Sequence, residues 1–244
     1  KILSNLKLDI TIPILNEESR LERGVTKTVE FLEKSEIKNY SITLADNGST
    51  DNTEKLATNL TERFPAVRAL KVDRRGVGLA LKQSWASSDA DLIGYMDVDL
   101  ATDLNHILEV YQIFQNNDEV DIINGSRLLP NSQVSNRSIL RGITSRGFNF
   151  LLNTMLDVKF SDGMCGFKFL KKTSYDKIFQ SGLENDGWFF CTELLVKAEW
   201  MGMRICEIPV KWEDDDDSRV RLFKTIMSYS KEIKRLKLQK AQKY

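Results

Sequence analysis

"DLIGYMDVDLATD" (91–103) runs a short apolar stretch, Leu92 to Met96, straight into the acidic triplet Asp97-Val98-Asp99. An apolar run this short, closed by charge, reads as a buried strand with carboxylates at its carboxyl end. Two like charges that close cost stability unless a cation or cationic partner sits between them. With one residue between them on an extended segment, both side chains point the same way. They are hard oxygen ligands suited to Mg2+ or Mn2+, ions that keep some water and bind substrate phosphates as well. Asp103, four positions on, reads as a helix cap rather than a ligand.

Outward from this strand the pattern repeats. "LDITIPI" (8–14), "YSITLAD" (40–46), "VRALKV" (67–72) and "VDIING" (120–125) read as further strands. Helices fall between them: one from Ser19 to Ser35, one after "NGSTDNT" (47–53), and one opened by the glycine turn of "RRGVGLALKQSW" (74–85). Ser49, Thr50 and Asp51 can cap the second of these. Such alternation predicts an α/β fold, a Rossmann-like and mostly parallel sheet flanked by helices. Beyond residue 127 the alternation weakens. A long helix is expected from Ile139 to Leu156, a turn at "SDGMCGF" (161–167), a helix around Thr192 to Trp200 and a strand at "RICEIPVKW" (204–212). With no repeat and no low-complexity linker, residues 1–220 read as one domain. Its nucleotide-binding half is 1–127 and its acceptor half 128–220, and a basic amphipathic helix follows at 221–244.

Composition sets bounds on this reading. Apolar residues make up 41% of the 244, ample for a core. Lys+Arg and Asp+Glu both number 35, so net charge leaves no footprint for nucleic acid. Three cysteines without a CxxC pair predict reduced thiols in a cytosolic setting. The single histidine, His106, argues against a His-based triad or a zinc site and reads as a helix-surface residue. The longest uncharged run, Gly147 to Leu156, has ten residues, well short of the ~20 a spanning helix needs. No signal peptide is visible. A start at Lys1 rather than Met reads as a trimmed or processed product, with room for a membrane segment beyond either end.

Ligands of open α/β sheets sit at the carboxyl ends of the strands. Four polar clusters fall there: Asn16-Glu17, Asp46-Asn47, Arg74-Arg75 and Asp97/Asp99. One would be ordinary loop polarity, whereas four at successive strand ends make a site. In "RRGVG" (74–78), backbone N–H groups at a helix start and two guanidinium forks both suit phosphate oxygens. It is neither a Walker loop nor a full GxGxxG turn.

"IPILNEE" (12–18), "LADNGSTDNT" (44–53), "RRGVGLALK" (74–82) and "YMDVDLATD" (95–103) together resemble the ordered landmarks of family-2 glycosyltransferases of the GT-A fold. "GSR" (125–127), "DGMCGFK" (162–168), "TELLVKA" (192–198) and "EIPVKWEDDDDSRV" (207–220) extend the resemblance to the polyprenyl-phosphate branch, similar to dolichyl-phosphate glucose and mannose synthases. It spans residues 8–222 and implies roles residue by residue. Pro13, Asn16, Glu17 and Asp46 would hold the donor nucleotide, with Arg75, Gly76 and Val98 beside them. Asp97 and Asp99 would bind Mg2+ or Mn2+ on the diphosphate of a UDP- or GDP-hexose. Ser218 and Arg219 match the pair that closes over donor phosphates. The usual Asp-Asp pair is Asp46-Asn47 here, which puts a role for the second position in doubt. The Gln that mannose synthases carry two residues after the second metal Asp is Ala101, so the glucose-synthase pattern fits better and UDP-glucose is the favoured donor.

The acceptor half can be read from its chemistry. A leaving diphosphate needs neutralising, which a divalent ion and arginines supply. An alcohol acceptor would also need a general base. A lipid phosphate would not, because its second pKa lies near ~6 and it arrives as an anion. It needs cations to position it, and Arg127, Arg137, Arg141 and Arg146 lie close together along an otherwise apolar segment. That segment suits a prenyl chain and core packing equally well, and a solvated helix face competes for its arginines. Asp162 is the candidate carboxylate facing the acceptor, or else a turn residue. Glu193 supports the site or sits on the surface. The acidic run Glu213 to Asp217 reads as a solvated loop.

From Ser218 to Tyr244 nine basic residues face one acid, Glu232, and Leu222, Ile226, Tyr229, Ile233 and Leu236 recur at helical spacing. Such a helix suits an anionic membrane surface, or else docks on the body with its basic face solvated. The expectation is an inverting hexosyltransferase using a nucleotide sugar and a polyprenyl phosphate, held peripherally at the cytoplasmic face of a membrane. A glycan hydroxyl as acceptor, a nucleotidyltransferase and a non-catalytic sugar-nucleotide binder are the competing readings.

Overall fold

The computed structural model describes residues 5–214 and 222–243, with backbone only at 222–228 and 242–243. The first half alternates as expected: β1 (Leu8–Ile14), α1 (Leu21–Lys34), β2 (Tyr40–Asp46), α2 (Thr53–Arg63), β3 (Val67–Lys71), α3 (Val77–Ala86), β4 (Leu92–Met96), α4 (Asn105–Asn116) and β5 (Ile122–Ser126). The second half adds β6 (Gln133–Ser135), α5 (Ile139–Leu156), β7 (Phe167–Lys171), α6 (Lys172–Gln180), α7 (Phe190–Trp200), β8 (Ile205–Pro209), β9 (Lys211–Glu213) and α8 (Leu222–Lys243). The main sheet has the order β3-β2-β1-β4-β7-β5-β8, and β6 and β9 form a small second sheet.

Alternation along the strands explains the two layers of helices. In β1, Leu8, Ile10, Ile12 and Ile14 pack into one core with Leu21, Val25 and Leu32 of α1. Its other face is polar but satisfied, Thr11 bonding Ser84 and Asp9 accepting from Thr43. β4 divides in the same way: Leu92 and Met96 join the first core, while Ile93 and Tyr95 join a second with Trp85, Leu152, Phe190 and Leu195. Both faces are covered, as a mostly parallel sheet requires.

Two expectations are corrected, and one strand is new. β4 ends at Met96, so Asp97 and Asp99 lie on a turn rather than on extended backbone; Leu100 then takes φ +59 to redirect the chain. The strand expected at 204–212 divides at Val210 between the two sheets. β7 was not foreseen and enters the main sheet between β4 and β5, antiparallel to both. Its register pairs Phe167 with Met96, which sets the 162–166 turn beside the acidic turn.

The long helix divides by face. Phe148, Leu152 and Leu156 of α5 are core, while Ile139 (83% exposed), Leu140, Ile143 and Phe150 (73%) face outward. α8 docks on the body: Tyr229, Ile233 and Leu236 are buried in the second core, with the Tyr229 ring 5.0 Å from Phe189 and 5.4 Å from Phe148. These apolar positions are therefore not available to a membrane, while Lys231, Lys234 and Lys237 are exposed. No described helix is long and apolar enough to cross a membrane.

Candidate active site

The rim at the carboxyl ends of β1, β2 and β3 is laced by its own side chains. Asn16, at φ +55, donates its N–H to Ser49 Oγ (3.0 Å) and accepts from Thr50 N–H (2.8 Å). Glu17 N–H bonds Thr53 Oγ1 at 2.8 Å, and Asp46 Oδ1 accepts from Ser49 N–H at 2.9 Å. Asn47 Oδ1 accepts from Gly76 N–H at 3.0 Å, tying the β2 loop to the glycine turn that opens α3. An amide oxygen serves this contact, so asparagine in place of the second aspartate has a structural use. Pro13 lies half-buried on this rim and Arg75 is exposed. Arg74 is taken by Asp186 at 2.6 Å, which also holds Lys82 at 2.7 Å.

A segment the sequence reading passed over braces this turn. Asp186 C=O accepts from Leu79 N–H (3.1 Å), and a Cβ on Gly76 would lie only 2.5 Å from that oxygen. Glu193 is fully buried and holds the same segment by accepting from Asn185 N–H (2.9 Å). It also faces Arg235 of α8 at 3.1 Å. Burial decides its role: Glu193 is an internal brace, not a surface residue.

The acidic turn sits below this rim. Val98 is buried, and α1 approaches so closely that a Cβ on Gly24 would lie 2.2 Å from Val98 O. A Cβ on Gly166 would lie 2.0 Å from Asp97 Oδ2, so only glycine lets the 162–166 turn pass over this carboxylate. Burial and the neighbouring Asp99 push the Asp97 carboxyl up to about 7, against the pull of Arg127 and Lys168. Asp99 Oδ1 accepts from Ala101 N–H at 3.0 Å. The described residues hold no group of three His, Cys, Asp or Glu side chains able to bind a metal by themselves. Two crowded carboxylates, one kept partly protonated by its surroundings, nonetheless fit a hard cation that takes its remaining ligands from diphosphate and water.

Lys168 was missed, although it closes the quoted "DGMCGFK". It is buried within β7, donates to Cys165 O at 2.5 Å and lies 5.9 Å from the Tyr95 ring centroid. A lysine inside a β-strand reads as an outward residue, so nothing local signalled its burial.

On the acceptor side Asp162 is fully buried and committed. Arg127 donates Nε to its Oδ2 (2.8 Å) and Nη2 to its Oδ1 (3.0 Å), while the N–H groups of Arg127 and Met164 add two further bonds at 3.2 Å. Burial opposes charge on both partners, yet their mutual attraction wins. The Asp162 carboxyl is held below its ordinary range and the Arg127 guanidinium above its own. The Arg127 guanidinium stacks 4.9 Å from the Trp212 ring centroid. Arg127, expected on the acceptor phosphate, and Asp162, expected to face the acceptor, are each other's partner here.

Arg137 and Arg141 remain. Arg137 is 11% exposed, and its Nε and Nη1 have no hydrogen-bond partner among the described residues. Burial, then repulsion from Arg127, lower its pKa. Arg141, from α5, shares with it a single carboxylate, Asp214, at 3.9 Å from each. Arg146 is exposed and forms no ion pair with a described residue. Ser218 and Arg219 lie outside the described residues. His106 belongs elsewhere, accepting from Lys211 N–H at 2.9 Å through Nε2.

The sheet order and the acidic turn at the end of its fourth strand put this molecule in the GT-A fold class. More narrowly, the chain belongs to glycosyl transferase family 2, whose family model matches residues 9–179. It is 32% identical over 234 residues to glycosyltransferase AglD of Haloferax volcanii, covering 95% of this chain but 37% of that protein. To a dolichyl-phosphate beta-glucosyltransferase of Dictyostelium discoideum it is 31% identical, covering 96% of this chain and 75% of the relative. Among solved structures, glucosyl-3-phosphoglycerate synthase of Mycobacterium tuberculosis, in complex with Mn2+, UDP and glucosyl-3-phosphoglycerate, superposes with a TM-score of 0.68 at 17% identity. That match covers 96% of this chain and 80% of the other, and it speaks to fold alone. Family membership sets the nucleotidyltransferase reading aside.

Proposed function

We propose that this glycosyltransferase moves a hexose, with UDP-glucose as donor, onto a polyprenyl phosphate of the dolichyl type, with inversion at the anomeric carbon. One observation carries the choice of acceptor. The carboxylate that would serve as a base, Asp162, is spent on Arg127 and held ionised, while Arg137, bonded to Ser145 through Nη2, keeps Nε and Nη1 without a hydrogen-bond partner among the described residues, beside Arg141. Such an acceptor side suits an anion and not the removal of a proton. A phosphate monoester arrives ionised and needs no base.

In this reading Pro13, Asn16, Glu17 and Asp46 form the nucleotide rim with Val98 beneath, and the turn at Arg75 and Gly76 faces the donor phosphates. Asp97 and Asp99 would hold Mg2+ or Mn2+, which when bound supplies positive charge for the departing diphosphate. Arg137 and Arg141 align the acceptor oxygen, and the Arg127–Asp162 pair fixes the wall behind them. Lys168 adds positive charge next to Asp97. The outward apolar face of α5 and the exposed Lys231, Lys234 and Lys237 of α8 support a peripheral place on an anionic membrane surface, on its cytoplasmic side. The Dictyostelium relative's name supports the acceptor class.

The test is a donor panel of UDP- and GDP-hexoses against a short polyprenyl phosphate and the matching polyprenol. Transfer to the phosphate alone, with an acidic limb that follows the lipid's second ionisation near ~6, is expected. Transfer to sugar hydroxyls at equal or greater rate would overturn it in favour of a glycan acceptor.

A further inference from the structure

The acidic run Glu213 to Asp217 is not simply a solvated loop where it begins. Asp214 is 10% exposed and its two oxygens are treated differently. Oδ1 accepts from Trp212 Nε1 at 2.7 Å, and the Asp214 N–H bonds Ser135 O at 3.1 Å, so residue and carboxylate are anchored. Glu213 is fixed nearby by Asn136 Nδ2 at 3.1 Å. Oδ2 points between two arginines, 3.9 Å from Arg137 Nε and 3.9 Å from Arg141 Nη1, and has no hydrogen-bond partner among the described residues.

A carboxylate that truly pairs with guanidinium sits about 2.7–2.9 Å from its nitrogens. At 3.9 Å this one supplies charge without satisfying either donor. The gap is the mark of a site dimensioned for a larger anion. A phosphate offers three oxygens where Asp214 offers one, so it can reach both forks together. Its charge of about −1.5 to −2 also matches two guanidiniums better than a single carboxylate does.

We propose that Asp214 is a placeholder for the acceptor's phosphate: it offsets part of the charge of Arg137 and Arg141 while the acceptor is absent and is displaced when a phosphate monoester binds. This rests on the phosphate-acceptor reading above and adds a specificity device to it. An acceptor without phosphate, such as a polyprenol, cannot outbid the carboxylate, so the site excludes neutral lipids before chemistry. The anchored Oδ1 keeps the carboxylate from closing on the arginines and becoming a permanent partner.

The test compares Asp214→Asn and Asp214→Glu with the parent, reading acceptor KM, donor KM and the rise in melting temperature given by inorganic phosphate. Asp214→Asn removes the competitor and keeps the Trp212 contact through the amide oxygen. Acceptor KM should fall about three- to tenfold with donor KM unchanged, and phosphate should stabilise this variant more than the parent. Asp214→Glu keeps the charge on a longer arm, so it folds, reaches the arginines and raises acceptor KM. Should Asp214→Asn fail to fold, the Glu variant decides. An unchanged or raised acceptor KM in Asp214→Asn, or a lowered one in Asp214→Glu, overturns the placeholder. Arg141→Ala separates the two ideas. If it raises acceptor KM while the Asp214 variants behave as a mere structural residue would, the phosphate reading stands alone. If it leaves acceptor KM untouched, both readings fail.

Discussion

Without metal, Asp97 should make the protein lose stability as pH rises from about 4 to 7. Its carboxyl is moved from 3.8 to about 7 by burial and by Asp99, against an unfolded value near 3.9. Below pH 4 the group is protonated in both states and costs nothing. Between 4 and 7 the unfolded chain releases the proton while the folded one keeps it, so stability falls with each unit of pH. Above 7 both states are ionised and the penalty stays at its full value. At 1.36 kcal/mol per pH unit, the move from 3.8 to about 7 sets an upper bound on the order of 4 kcal/mol. The assay is urea unfolding in EDTA at half-unit steps from pH 5 to 8, for the parent and for Asp97→Asn. The stability advantage of the Asn variant should grow through this window and level off above 7. Mn2+ with UDP should reverse the order at pH 8, because a bound cation turns the crowded charge into binding energy. A difference between the two proteins that does not change with pH would refute the reasoning.

Asp162→Asn should destabilise the fold by about 3–5 kcal/mol, because Arg127 is left buried without its charge partner; thermal unfolding measures this, and a stable variant with a selective loss of kcat would instead mark Asp162 as a base. Gly166→Ala should abolish metal-dependent UDP binding in calorimetry, since its Cβ would fall 2.0 Å from Asp97 Oδ2. Asp186→Ala should raise donor KM several-fold with acceptor KM unchanged, because it releases Arg74 and Lys82 and loosens the turn at Gly76; steady-state kinetics against each substrate checks the split.

What could be read in the sequence was what short-range pattern determines. β1 and β2 were legible residue for residue because alternation and burial coincide in "LDITIPI" and "YSITLAD", and α5 because its bounds are set by the Ser138 cap and by Asp157 in the left-handed region at φ +53. The four strand-end clusters were legible for the same reason: each follows a strand that could be seen. β7 was not, because "FKFLK" carries two lysines, and its place between β4 and β5 is fixed by partners more than forty residues away. The pairing of Arg127 with Asp162 spans 35 positions, and no local signal marks it. The membrane reading of α8 failed at its apolar face for a related reason: helical spacing identifies a face to be buried and says nothing of what buries it.

The late arrival of β7 has a consequence for how such a molecule can be made and altered. Phe169 fills the space over Gly94, where a Cβ would meet its ring at 2.2 Å. The strand that leads to the acidic turn, β4, therefore gains its second neighbour only after the ribosome has passed residue 171. A nascent chain ending at 127 presents β4 as an unpaired edge and leaves β5 without either of its sheet neighbours, β7 and β8, an invitation to chaperones or to self-association. Separate inheritance is blocked for the same reason. A recombination event that exchanged everything after 127 for another acceptor module would also exchange an internal strand of the donor's own sheet, β4's neighbour, together with the glycine that clears Asp97.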